Sequence, residues 1–184
     1  MYCGGESIRV VHPLFQAGGS GSNPTSPLQL HLGWILPTLG VRLNELWHSR
    51  LPSFTAPLGQ FEAIGAEHGG IFYAVAIWSW PAARMLNRTQ YEYYELRRLA
   101  IAPDAPRNTA SRMLRVMRLM IARDKPLVRN LISYQDTAVH SGTIYRAAGW
   151  EPVRKSSAEE WTRPSRARRK LQSAASKVRW QITI

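Results

Sequence analysis

The chain has 184 residues, 45% of them hydrophobic, enough for one domain with a sizeable core. Its single cysteine, Cys3, excludes an intramolecular disulfide and a cysteine-based metal cluster. Against 12 Asp and Glu stand 24 Lys and Arg, a net charge of +12, which favours a polyanionic partner. Nucleic acid leads, ahead of a membrane surface or an acidic protein, and a generally basic surface without a partner is the plain alternative.

The longest apolar runs, such as 71–78, are too short to span a bilayer. The first residues lack the basic start, apolar middle and cleavage site of a secretion signal, so a cytoplasmic protein is expected, with no membrane partner.

Residues 1–27 read as an irregular N-terminal segment, because 17–27 is the Gly/Ser/Pro stretch AGGSGSNPTSP. Leu28, Leu30 and Leu32 alternate with polar neighbours and predict a short strand. Gly40–Arg50 predicts a helix with a partial stripe of Val41, Leu43, Leu46 and Trp47, stopped by Pro52. Phe61–Ala66 and Gly70–Trp80 predict a hairpin around the turn 67–70. Tyr93–Ile101 predicts a strand with Tyr94, Leu96 and Arg98 on one side. Glu95, Arg97, Leu99 and Ile101 fall on the other.

The loop 104–109 ends in capping residues, and Met113, Val116, Met117, Met120 and Ile121 then recur at helical spacing. Val128–Ser133 predicts a buried strand. Thr143–Ala148 predicts a short helix closed by Gly149 as a left-handed cap, and Trp150–Val153 begins another strand. From Arg154 to Arg179 nine Lys or Arg face two Glu, so this stretch carries +7 of the net charge. The organisation predicted is an irregular segment (1–27), a catalytic domain (28–153) and a basic C-terminal extension (154–184).

Several residues stand out for chemistry. Arg98 lies among apolar neighbours, and a buried cation is unfavourable unless paired. Glu95, Asp136 or an anionic ligand each fits. Asp136 follows a predicted strand, where it is suited to accept a proton from an attacking amine or to cap the next turn. Ser133 and Tyr134 beside it are suited to bond an acceptor or a carbonyl. His48 titrates near neutrality and reads as a base or as a structural histidine in a helical setting. His48, His140 and Asp136 lack the tight spacing of a metal site, so no metal is expected. In the tail, Arg163, Arg166, Arg168, Arg169 and Lys170 fit phosphate contacts or plain solvated charge, and Arg50 extends the basic set.

The order of elements resembles that of GNAT acyltransferases, and IYRAAGW (144–150) resembles the point where their Tyr-bearing helix runs into Gly-Phe. Three longer strings, WHSRLP (47–52), LRRLAIAPDAPRNTA (96–110) and SYQDTAVHSGTIY (133–145), resemble the Mom DNA-modification proteins of bacteriophages and prophages. This resemblance implies an α+β fold: a mixed, mostly antiparallel twisted sheet flanked by helices, with a basic C-terminal tail. It implies acetyl-CoA or a related CoA thioester as small-group donor, and double-stranded DNA as partner. It further implies modification of the exocyclic amine of adenine, protecting phage DNA from host restriction.

Carried over by position, it makes Tyr145 the acid that protonates the leaving thiolate, unless Tyr145 is simply packed under the sheet. It makes Arg107, Asn108, Thr109, Ala110 and Ser111 the start of a helix that binds the CoA pyrophosphate. Ala110 and Arg112 stand where the superfamily pattern has small glycine-type residues, which puts the shape of that cradle in doubt. Two other readings remain: an acetyl-CoA-dependent N-acetyltransferase of another amine, and a non-catalytic DNA-binding protein on the same scaffold. The sequence leaves the oligomeric state open, a homodimer included.

Overall fold

The computed structural model describes residues 29–54, 60–81, 83, 86, 91–156 and 176–184. Among these, seven strands form one sheet and three helices flank it. β1 (His31–Ile35), β2 (Phe61–His68), β3 (Ile71–Ser79) and β4 (Tyr93–Ile101) lie side by side, each antiparallel to the next. β5 (Asn130–Asp136) runs parallel to β4. β7 (Lys177–Thr183) inserts antiparallel between β5 and β6 (Glu151–Ser156). One face carries α1 (Pro37–Trp47). The other carries α2 (Thr109–Asp124) and α3 (Thr143–Ala147). The mixed, mostly antiparallel α+β architecture is the one expected.

The larger core lies under α2 and α3. Met113, Leu114, Met117 and Ile121 on α2 close over Ile64, Ala76, Trp78, Tyr94 and Leu131 of the sheet. Trp78 is wholly buried, stacks on Tyr94 at 5.6 Å and donates its indole N–H to the Met117 sulfur. Such aromatic pairs contribute about 0.5–1.5 kcal/mol beyond burial. The smaller core joins Leu43 of α1 to Ala63, Val75 and Ala100. α1 lies close because residue 40 is glycine: a Cβ there would sit 2.4 Å from that of Ala63.

α1 begins and ends earlier than the predicted Gly40–Arg50. Pro37 sits in its first turn, where its fixed φ suits a helix start. It stops at Trp47 because Asn44, fully buried, donates its side-chain amide to the carbonyls of Leu51 (3.1 Å) and Pro52 (2.7 Å). That folds the chain back, so His48 and Arg50 stand in a loop and not in the helical setting read from the sequence.

β4 also departs from simple alternation. Ile77 pairs with Arg98 and Trp78 with Leu96, leaving Arg97 as an extra residue in a β-bulge. The bulge shifts the side-chain phase by one. Leu99 and Ile101 therefore join Tyr94 and Leu96 in the larger core, and Arg98 falls on the α1 side with Ala100. The predicted grouping of Arg98 with Tyr94 and Leu96 is corrected by this single inserted residue.

Two boundaries move along the rest of the chain. β5 runs three residues beyond the predicted Ser133, so Asp136 is the last strand residue and not part of the following loop. The stretch 154–184 is not peripheral throughout, because β6 reaches Ser156 and β7 lies inside the sheet. Val178, Trp180 and Ile182 alternate with Arg179, Gln181 and Thr183, and the apolar set faces the larger core.

Candidate active site at the split between two parallel strands

β4 and β5 pair from Tyr93 opposite Asn130 to Leu96 opposite Ser133, and no further. Beyond that point β4 stays with β3 and β5 stays with β7. The strands separate into a V with its apex at Leu96 and Ser133. Backbone groups that would have paired across the gap are left to bind something else.

One face of the apex holds two hydroxyls. Ser133 Oγ lies 3.3 Å from the Leu96 carbonyl and 2.8 Å from the Tyr145 hydroxyl. A carbonyl only accepts, so Ser133 donates to Leu96 and Tyr145 donates to Ser133. Burial pushes the Tyr145 phenol above its ordinary range, with the Ser133 contact opposing, so the phenol keeps its proton at neutral pH. The ring is fixed by Trp180, stacked at 5.3 Å, and by Trp150, tilted at 5.7 Å.

Trp180 is anchored by its indole N–H to Gln135 at 2.5 Å and pressed by the backbone of Gly142. A Cβ on Gly142, which has φ of +75°, would lie 2.4 Å from the Trp180 ring. Among the described residues, the buried Trp150 indole N–H has no hydrogen-bond partner.

The opposite face of the V is charged. Arg97 pairs with Glu95 at 3.0 Å, and Arg50 approaches Asp136 at 3.8 Å. Both carboxylates weighed as partners for Arg98 are thus engaged by other arginines. Arg98 itself donates to the Arg97 carbonyl at 2.8 Å and lies over the Phe54 ring at 5.4 Å. Its Nε is buried and lacks a partner among the described residues. Burial, then Arg97, lowers its pKa, with Glu95 opposing, yet a guanidinium stays charged.

His48 stands beside Arg98. Burial first, then the Arg98 charge, depresses its pKa below the usual value, so the ring is neutral near pH 7. Its Nδ1 accepts the Leu51 backbone N–H at 3.2 Å. A neutral imidazole accepting at Nδ1 carries its proton on Nε2, so His48 offers a donor there. Asp136 accepts the Ala138 amide at 3.0 Å and so also performs the turn-capping role weighed from sequence.

Tyr134, the residue after Ser133, points to this charged face. Its cross-strand partner is Arg179, which in turn pairs with Arg154. Burial, then Glu95, raises the Tyr134 pKa, with Arg179 and Arg154 opposing.

Past the far end of β4, the chain enters α2 through Arg107 and Asn108, both exposed. Asn108 adopts left-handed backbone (φ 63°), and its side chain caps nothing, contrary to the capping role predicted. Thr109 Oγ1 donates to Pro106 at 2.6 Å and Ser111 Oγ to Asn108 at 3.1 Å. The first-turn amides of Ala110 and Ser111 have no intrahelical acceptor. Arg163, Arg166, Arg168, Arg169 and Lys170 lie outside the described residues. Within the described residues, three or more His, Cys, Asp or Glu nowhere gather as a metal site would require. No described helix is long and apolar enough to cross a membrane.

The structure therefore brings His48, Arg50, Arg98 and Asp136 to one face of the V and Ser133 with Tyr145 to the other. Sequence reasoning missed Asn44, Phe54 and Trp180, the residues that hold these groups in place. Asn44 offered one signal, a polar residue beside the apolar stripe of its helix. Trp180 offered another, strand alternation inside a charged tail.

The sheet and its helices superpose on those of solved acetyltransferases. The spermidine/spermine N-acetyltransferase of Vibrio cholerae, solved with manganese ions, superposes with a TM-score of 0.56 at 9% identity, covering 84% of this chain and 92% of that one. A Bacillus subtilis acetyltransferase in complex with CoA gives 0.55 at 12% identity, covering 84% and 97%. A GNAT family acetyltransferase from Elizabethkingia anophelis with acetyl-CoA bound gives 0.51 at 9%, covering 84% and 98%. At such identities the likeness establishes the fold, and the fold is GNAT. No curated protein matches the chain. The chain belongs to the Mom protein family, whose model matches residues 47–182.

Proposed function

We propose that this chain is a DNA-modifying transferase that moves a small group from a CoA thioester, acetyl-CoA or a relative, to the exocyclic N6 amine of adenine in double-stranded DNA. The modification would shield a bacteriophage genome from host restriction. The observation that carries the reading is the split between β4 and β5 in a Mom-family chain. It has a buried, protonated Tyr145–Ser133 pair on one side and a cationic cluster on the other. The net charge of +12 supports a nucleic acid acceptor over a small amine.

The residues at the start of α2 fit a CoA diphosphate. Open first-turn amides and the helix dipole attract anions, and Arg107 and Arg112 lie beside them. Ala110 in place of glycine narrows the cradle without removing those amides. When bound, the thioester supplies an activated group with a thiolate leaving group.

The chain's own residues then have distinct tasks. Tyr145, held protonated by burial, gives its proton to the departing sulfur. Arg98, with an unsatisfied Nε, and His48, donating from Nε2, stabilise negative charge developing on the transferred group. Asp136 takes the proton that the adenine amine loses as its nitrogen bonds the transferred group, help it needs because its lone pair is delocalised into the ring.

Expression in bacteria followed by digestion of plasmid DNA to nucleosides tests the proposal. A mass-shifted deoxyadenosine is the expected product, and Asp136→Ala should abolish it in a folded protein. Unshifted deoxyadenosine from cells holding abundant folded protein would refute it. If acetyl-CoA still bound in calorimetry, the result would point to another amine acceptor.

A further inference from the structure

A transferase acting on a base in duplex DNA must reach an atom that stacking hides. Enzymes do this by extruding the base and stacking it on an aromatic surface. Three aromatic residues come into question for that role: Trp78, Trp80 and Tyr134. Trp78 is wholly buried, and its N–H is committed to Met117, so it offers no surface. Trp80 directly follows β3 and is packed against Tyr91 and Tyr94 at about 5 Å. Tyr134 remains. It is 41% exposed, adjoins Ser133 at the apex, and lies two residues before Asp136 on the same face.

Its surroundings are cationic. Cross-strand partners share a face of a pleated sheet. The register Tyr134–Arg179–Arg154 therefore places a tyrosine and two arginines in one row across β5, β7 and β6. Arg154 is exposed, and the Arg179 Nε lacks a partner among the described residues. Arg50 and Arg98 stand nearer the apex on the same side. Among the described residues no helix covers this row: α1 packs on β2, β3 and β4, and α2 and α3 cover the opposite face.

We propose that this face of β5, β7 and β6 is the DNA-docking surface, with Tyr134 the platform for the extruded adenine and Arg154 and Arg179 the contacts to the phosphates beside it. The inference rests on the DNA-modifying reading above. Stacking an extruded base there sets it beside Asp136, which shares that face of β5. Tyr134 is thus a positioning residue.

Fluorescence anisotropy tests this with two labelled duplexes of one sequence, one fully paired and one with a single mispaired adenine. A mispaired base is easier to extrude, so the wild type should bind that duplex about tenfold or more tightly. Tyr134→Ala should lose about tenfold in affinity for the mispaired duplex, and with it the preference. Tyr134→Phe should retain both, because the ring face remains. Arg154→Ala and Arg179→Ala should weaken both duplexes alike and lower the salt slope by about one each.

Tyr134→Ala binding both duplexes as the wild type does would overturn the platform. So would a Tyr134→Phe variant as weak as Tyr134→Ala. If either occurs while wild-type protein yields mass-shifted deoxyadenosine, the platform fails and the DNA-modifying function stands. A folded wild type that neither binds duplex nor shifts deoxyadenosine overturns both.

Discussion

The two faces of the sheet at the β4–β5 split are built on opposite principles, although adjacent residues of the same strands supply both. The face under α2 and α3 is dry. Ser133, Gln135 and the Tyr145 hydroxyl are each satisfied by a neighbour and framed by Trp150 and Trp180, although the Trp150 indole N–H lacks a partner among the described residues. The α1 face is charged and partly open, with five arginines, Asp136, Glu95 and a neutral His48. Rigid packing suits a group that must keep its proton and its position. A cationic face with unsatisfied guanidinium nitrogens suits an anionic visitor. The bulge at Arg97 makes the division possible, because it turns Arg98 away from the core that Leu96 enters.

If the division is right, changes on the two faces should fail differently. The largest loss of stability should come from Trp180→Ala, about 3–5 kcal/mol, because it empties the space beside Tyr145. Thermal or urea unfolding measures it, and a loss under 1 kcal/mol would show that β7 does not support the apex.

Arg98→Met should behave the other way. Removing a partly buried, incompletely paired cation should leave stability within about 1 kcal/mol. Modification should nevertheless fall about 10²–10³-fold, as for a lost charge-stabilising donor. A variant that unfolds would place Arg98 among the structural residues.

His48 gives a smaller, pH-dependent effect. Its folded pKa lies below the unfolded value of 6.5, so the unfolded chain binds more protons in that range. Its contribution to stability is complete above pH 6.5 and is lost as pH falls through the lowered folded value. His48→Gln should flatten the stability–pH curve just below pH 6.5, and an unchanged slope would contradict the buried neutral ring. The smallest effect should be that of Arg50→Ala, no more than about 1 kcal/mol on stability, since Arg50 is half exposed and 3.8 Å from Asp136.

Much of the dry face was legible in sequence. Helical spacing marked the core side of α2, and turn chemistry with apolar, β-branched runs marked β2, β3 and β5, because burial and turns leave signals that short windows reveal. The charged face was legible as a set of residues but not as an arrangement. The β-bulge inverts the expected side of Arg98 by inserting one residue, which no local pattern announces. His48 was misplaced because the fold-back depends on Asn44 reaching Leu51 and Pro52, a tertiary contact. β7 was overlooked because lysines and arginines in the tail outweighed three alternating apolar residues, Val178, Trp180 and Ile182.

The central claim is that chemistry on DNA adenine runs through the hydroxyl pair at the apex. Nucleoside mass spectrometry of plasmid DNA from cells expressing the wild type or Tyr145→Phe tests it most directly, with unfolding measured in parallel. The wild type should yield mass-shifted deoxyadenosine. Tyr145→Phe should reduce that yield about 10²–10⁴-fold, as for a lost general acid, while costing only about 1 kcal/mol for one buried hydrogen bond. Equal yields of shifted deoxyadenosine from the two folded proteins would contradict the account.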